Sequence, residues 1–245
     1  MGMTIRHVVL VSGVIAAGAF VYVVGFSPMD ESGYGVRARS GGAGADSLQS
    51  GQTSSRRGMI ASIRRALIGG QMDTADRIAG DLILLSPDDP GASFYRAMVD
   101  MELGKNEKQT KSWAWLDRLM DDPGRWTNQY SVAQAAYYRG WSKHGIREFE
   151  ESRQIFNRMA DKLEADSLGP DGRVTNPGVL YNLACYRAMG HDHESAIEHW
   201  EQANLNGYAD DGWWRVDPDL ESLHRDPRFW AIGEDDVEAQ DDSEG

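Results

Sequence analysis

The stretch YNLACYRAMGHDHESAIEHWEQANLNGY, residues Tyr181–Tyr208, decides the fold. Two helical segments, Leu180–Met189 and Glu194–Leu205, flank the break at Gly190. Within each, apolar residues recur at three and four, which places them on one helix face. Ala184, Ala196 and Ala203 are small enough to let two antiparallel helices approach closely. Trp200 is then expected to fill the gap to a neighbouring pair.

Toward the amino terminus the same period continues, and no alternating run reads as a strand. The helical segments are Met59–Ile68, Met72–Leu85, Ala92–Leu103, Gln109–Met120, Thr127–His144 and Arg147–Glu164. Glycines and prolines punctuate them at Gly69-Gly70, at Ser86 to Pro90, at Gly104, at Asp121 to Gly124 and at Gly145. Residues 166–177 read as a Gly/Pro/Asp-rich loop. The pattern predicts four helix pairs at a spacing of roughly 36 to 44 residues, within the range of helical solenoids.

In Leu183-Ala184, Gly190, Ala196, Trp200 and Ala203 the last pair resembles the tetratricopeptide repeat family. Arg187 stands where that family has an aromatic, and Tyr208 where it has a closing proline. The earlier pairs match less fully: Ala75 and Pro87 in the first, Trp115 and Pro123 in the second, Gly140, Ser152 and Phe156 in the third. The resemblance covers residues 59–210. It implies an all-α, right-handed solenoid of about four helix pairs plus a C-terminal capping element; the apolar run near the amino terminus is expected to add one transmembrane helix before it.

The segment GYADDGWWRVDPDLESLHRDPRFWAI follows the last pair and resembles the end-of-array element of many bacterial tetratricopeptide proteins. Asp217 is a good N-cap with Pro218 as first helical residue, and Asp226-Pro227 repeats the device. Leu220, Leu223, Phe229 and Trp230 are expected to lie over the apolar edge of the last repeat, as solenoid ends require. Trp213-Trp214 reads as packing within that cap. Residues 233–245 hold seven acidic residues and no basic one, a disordered acidic tail.

At the other end, VVLVSGVIAAGAFVYVVGF, Val8–Phe26, runs nineteen residues without a charge. As a helix it would be about 28 Å long, close to the hydrocarbon thickness of a bilayer. A cleavable signal peptide ending near Ala17-Gly18-Ala19 is the alternative. Residues 1–29 are read as an uncleaved signal-anchor, because apolar character continues past those small residues. Residues 30–57 are rich in Gly and Ser and read as a flexible tether. The repeat domain with its cap is expected over 58–232. Arg6 against Arg37 and Arg39 leans only slightly toward a cytoplasmic amino terminus and a periplasmic bulk.

Composition narrows function. The chain has 245 residues, with 25 Lys plus Arg against 38 Asp plus Glu, a formal charge of −13. That argues against a general nucleic-acid binder. The single cysteine, Cys185, excludes an internal disulfide. No phosphate-cradling loop, nucleophile elbow or zinc-protease motif is present, so no catalytic residue, no cofactor and no enzyme activity are expected. His191, His193 and His199 have the look of a metal cluster, but the first two fall in an inter-helix turn and no metal site is assigned.

In the resembled fold the first helix of each pair lines a groove. The face so defined carries Arg96 and Asp100, then Tyr137, Trp141 and His144, then Tyr181, Cys185 and Met189. This set is the expected protein-binding groove, with an aromatic and Met floor. Exchange of Tyr137 and Trp141 for Ala is expected to spare the fold. Asn182 matches one position at which some family members hold a carboxyl terminus, but the rest of that set is missing. The expectation is a membrane-anchored adaptor that binds a protein partner. A structural subunit of a membrane complex and an extracytoplasmic assembly factor are the alternatives.

Overall fold

The structure, a computed structural model, describes residues 46–126, 129–210 and 212–233. Eight α-helices account for most of it: α1 Asp46–Ile68, α2 Met72–Leu85, α3 Pro90–Glu102, α4 Asn106–Met120, α5 Val132–Gly145, α6 Phe149–Ser167, α7 Pro177–Met189 and α8 His193–Leu205. Three 3₁₀ turns, Pro123–Trp126, Trp213–Arg215 and Pro218–Leu223, and a last helical turn over 227–233 complete it. Among the described residues there is no strand. Every helix packs on the one before it, and α3 also touches α5. The fold is therefore all-helical and repeat-like, with its core running along the stack.

Short polar residues set the helix starts. Asp89 accepts a hydrogen bond from the Ala92 N–H, with Pro90 as first helical residue. Asn176 and Pro177 do the same for α7, through the Val179 N–H. Asp192 caps α8. These side chains satisfy N–H groups that have no partner inside the helix. At α5, Ser131 and Gln134 form a reciprocal capping box. That box corrects the expected start at Thr127: the chain makes the 3₁₀ turn Pro123–Trp126 and then begins α5 at Val132.

Helix α1 begins at Asp46, inside the stretch expected to be tether. Extending a formed helix adds one hydrogen bond per residue fixed, so a polar run can prolong the packed Met59–Ile68 segment. Arg56 is drawn into the folded domain by its ion pair with Asp89, 2.8 Å. The expected span Val8–Phe26 and the acidic tail beyond Gly233 lie outside the described residues. No described helix is long and apolar enough to cross a membrane.

Small residues set the spacing between the pairs and inside them. A methyl group at Gly145 would overlap the Trp113 ring, and one at Gly140 would lie 2.7 Å from Phe156. Ala184, Ala196 and Ala203 are fully buried. Trp200 behaves differently from expectation. Its ring packs on Tyr181, Tyr208, Trp214 and Phe229, so it joins the last pair to the C-terminal segment rather than to another pair.

Candidate functional site

The odd-numbered helices form one side of the stack, and the C-terminal segment returns across it. We call this side the first-helix wall and residues 212–233 the strap. The strap leaves α8 through a linker with two left-handed glycines, Gly207 (φ 81°) and Gly212 (φ 89°), a conformation that glycine adopts freely. The turn Trp213–Arg215 touches α1, and Pro218–Leu223 lies against α7 and α8. The Arg64 guanidinium of α1 sits 4.5 Å from the centroid of the Trp213 ring.

Two strap carboxylates meet the wall. Asp217 accepts from the Tyr181 hydroxyl at 2.6 Å and from Trp213 Nε1 at 2.7 Å, both on Oδ2. Its Oδ1 caps the turn by accepting from the Asp219 N–H at 3.0 Å. Asp219 accepts from Trp141 Nε1 at 2.7 Å and from the Tyr137 hydroxyl at 3.1 and 3.2 Å. Both carboxylates are buried, and Asp219 is fully enclosed. Phenols, indoles and one backbone N–H supply these bonds. The charged form of Asp219 is therefore poorly compensated, while the Arg64 guanidinium favours the charged form of Asp217.

The titration behaviour follows from that setting. Burial, then the charge of Asp217, pushes the Asp219 carboxyl far above the usual carboxylate range. Burial also raises Asp217, against the opposing effect of the Tyr181 hydrogen bond. Burial and the adjacent carboxylates push the Tyr137 and Tyr181 phenols well up, so both stay protonated donors. Two carboxyls this close in a dry site share protons rather than ionise together.

The wall residues expected from the sequence divide into two groups. Tyr137, Trp141, Tyr181 and Cys185 are brought together beneath the strap and are buried. They are core on one side and carboxylate contacts on the other, so the expectation that Tyr137 and Trp141 can become Ala without damage does not suit their burial. Met189 is also buried. His144 lies half-buried at the edge, its ring 5.5 Å from Trp141. Burial, then the charge of His191, holds its imidazole below the ordinary range, with Glu221 of the strap opposing. Glu221 also bears on Glu102 of α3, whose carboxyl is raised first by its own burial.

Arg96 and Asp100 belong elsewhere. Arg96 pairs with Asp76 of α2 and Asp100, each at 2.7 Å, while Lys105 reaches Asp76 at 2.8 Å and Ser112 of α4 reaches Asp100 at 3.1 Å. This network clamps α2, α3 and α4 together. The Lys105 hydrogen bond, helped by Arg96, holds the Asp76 carboxyl below its usual range against the opposing effect of desolvation.

Cys185, Asp217 and Asp219 place their donor atoms within 4.8 Å of one another, the kind of set that can hold a metal ion. All four carboxylate oxygens, however, already accept hydrogen bonds. The Cys185 thiol is pushed far up by burial and by the two carboxylates, which keeps it protonated and poorly nucleophilic. The His191 and His193 rings stack at 5.8 Å in their turn.

Sequence reasoning reaches Asp219 only as one of the residues that match the end-of-array element, with no contact to the wall, and Asp217 as a match and a cap, a role that residue does fill. The available signal is a second acidic residue two positions after the capping Asp217, between the apolar Pro218 and Leu220. Asn182 of α7 is buried, and neither end of its amide has a hydrogen-bond partner among the described residues.

No family model matches this chain, and no curated protein matches it. Among solved structures it is similar to a chain titled "MamA RS-1 ArsTM double mutant", with 12% identity over 74% of this chain and 96% of that one, at a TM-score of 0.31. That score is too low to carry a property from one chain to the other.

Proposed function

We propose that this chain is a tetratricopeptide-like, membrane-tethered scaffold that holds another polypeptide on its first-helix wall and carries out no covalent chemistry. One observation carries the reading. The wall already holds a polypeptide segment in a 3₁₀ turn, Pro218–Leu223 with its cap Asp217, and it does so through side-chain-specific hydrogen bonds from Tyr137, Trp141 and Tyr181. A surface that grips one such segment has the chemistry to grip another. In this reading Val8–Phe26 fixes the chain to a bilayer, with the repeat domain on the periplasmic side. Tethering raises the local concentration near membrane partners, so a modest affinity suffices.

A permanently docked accessory subunit is the second reading. It is favoured by the exposed side chains of Leu84, Leu85 and Trp115, at 81%, 68% and 37%. Trp115 Nε1 bonds the Pro87 carbonyl, which keeps that ring close to the turn after α2.

Photo-crosslinking in cells separates the two. A photoreactive side chain replacing exposed Glu221 at the wall's rim should yield an adduct with a second polypeptide. One replacing Leu168, in the loop after α6, should not. Adducts from position 84 alone would favour the accessory subunit. Adducts from none of these positions would contradict both readings.

A further inference from the structure

We propose that the first-helix wall reads an acidic turn of the form Asp-x-Asp, that its partners present such a turn, and that the strap is a resident, displaceable occupant. The inference rests on the scaffold reading above and gives the partner's chemistry. Three donors on two helices define the site: the Tyr137 hydroxyl and Trp141 Nε1 of α5, and the Tyr181 hydroxyl of α7. All three end on carboxylates two residues apart, with Pro218 between them. The donors are rigid aromatics locked from behind. Trp141 stacks on Trp113 at 5.6 Å, Tyr137 packs on Phe94 and Phe156, and Tyr181 stacks on Tyr208 at 4.3 Å. Preorganised donors lower the ordering cost of binding.

A turn whose two carboxyls fall on Tyr181 and on the Tyr137–Trp141 pair therefore fits, while an apolar turn leaves buried donors without acceptors and an amide in place of Asp217, both of whose oxygens accept, turns an NH2 toward a donor. Such unmatched polar groups are what produce large discrimination. Asn182 lies one residue from Tyr181 and three before Cys185, on the flank of the same stripe, and its amide is unpaired. It is a further group that a longer partner segment can use. The strap is joined covalently to α8 through the linker at Gly207 and Gly212 and is also held by its buried Trp213, Leu220, Leu223 and Phe229, so tethering adds to that hold, and a competing segment must bring apolar contacts beside its acidic turn.

The test uses the full chain with a specific protease site inserted between Ala209 and Asp210. Cutting removes the tether's advantage while leaving the strap in place. A fluorescent peptide of residues 212–233 should then exchange onto the wall saturably, read by anisotropy. The same peptide with Asp217→Asn and Asp219→Asn should bind at least tenfold more weakly, and a scrambled peptide of equal charge should not bind. A second arm needs no insertion: the uncut chain carrying both Asn substitutions should take up the labelled parent peptide, and the unaltered chain should exclude it. Failure of the parent peptide to exchange in both arms, or equal uptake of the scrambled or diamide peptides, would overturn the proposal. If cellular adducts form from position 221 while exchange fails, the scaffold reading stands and the acidic-turn inference falls. Exchange without adducts supports the wall's preference for an acidic turn and overturns the scaffold reading.

Discussion

Two buried acidic sites hold this molecule together by opposite means. At Asp89 a single carboxylate joins α1, α3 and the approach to α5. It accepts from Arg56 at 2.8 Å, from Gln129 at 2.7 Å, from Tyr130 at 2.8 and 2.9 Å and from the Ala92 N–H at 2.8 Å. A cation faces the charge, and the partners come from neighbouring parts of the stack. At the strap two carboxylates lie side by side on phenols and indoles, between residues 36 to 82 positions apart in the chain. The first arrangement is a fixed joint. The second is conditional, because its strength depends on how many protons the pair carries.

The largest expected effect tests the fixed joint. Asp89→Ala removes the helix cap and leaves Arg56 without its carboxylate in a mostly enclosed site. The expected loss is about 3–5 kcal/mol in a denaturant titration. A loss under about 1 kcal/mol would mean that Asp89 is not the joint described. Trp141→Ala should cost a similar amount, about 3–5 kcal/mol, because it opens a cavity against Trp113 and strips a donor from Asp219. A folded, undisturbed Trp141→Ala protein would return that residue to an open groove.

The conditional site is tested by pH. A carboxyl raised in the folded state binds more protons folded than unfolded. The stability it contributes is fully present below its ordinary value of 3.8 and is lost as pH rises toward the folded value. Each proton so linked changes stability by up to about 1.4 kcal/mol per pH unit. His144, His191 and His224 are lowered, chiefly by burial, and act the other way: their contribution is present above 6.5 and lost below it. The comparison is therefore between the chain and its Asp219→Asn variant across pH 5 to 9. The unaltered chain should lose stability relative to the variant as pH rises. A pH-independent difference would show that the pair holds no extra proton.

The smallest effect is the subtlest. Tyr181→Phe deletes the 2.6 Å bond to Asp217 and keeps the ring, so about 1–2 kcal/mol should be lost. The helices should persist, as read by far-UV circular dichroism. No change at all would place the weight of strap docking elsewhere.

The architecture is legible in the sequence because periodicity and punctuation are local. Gly69-Gly70, Pro90, Gly104 and Pro177 mark boundaries through their own backbone preferences. Ala184, Ala196, Trp200 and Ala203 announce a close-packed pair. The start of α5 is harder, since Ser131 and Gln134 compete with a longer helical pattern from Thr127. The site is half legible. Tyr137, Trp141, Tyr181 and Cys185 share faces that a helical period reveals. Their occupant is hidden, because Asp219 meets Tyr137 from 82 positions away and no local rule ties them. Arg96 and Asp100 sit on the right face by count, yet a three-helix ion network claims them.

Cys185 offers the most direct test of the strap itself. It is the chain's one cysteine, it is fully buried, and its sulfur lies within 4.8 Å of ligand oxygens of Asp217 and Asp219. The measurement is its rate of reaction with a small thiol reagent at one fixed pH, in the full chain and in its Asp217→Ala, Asp219→Ala variant, with helicity monitored alongside. The strap covering the wall predicts strong protection in the unaltered chain and a large acceleration in the variant at unchanged helicity. Fast modification of the unaltered folded chain, or an unchanged rate in the variant, would contradict it.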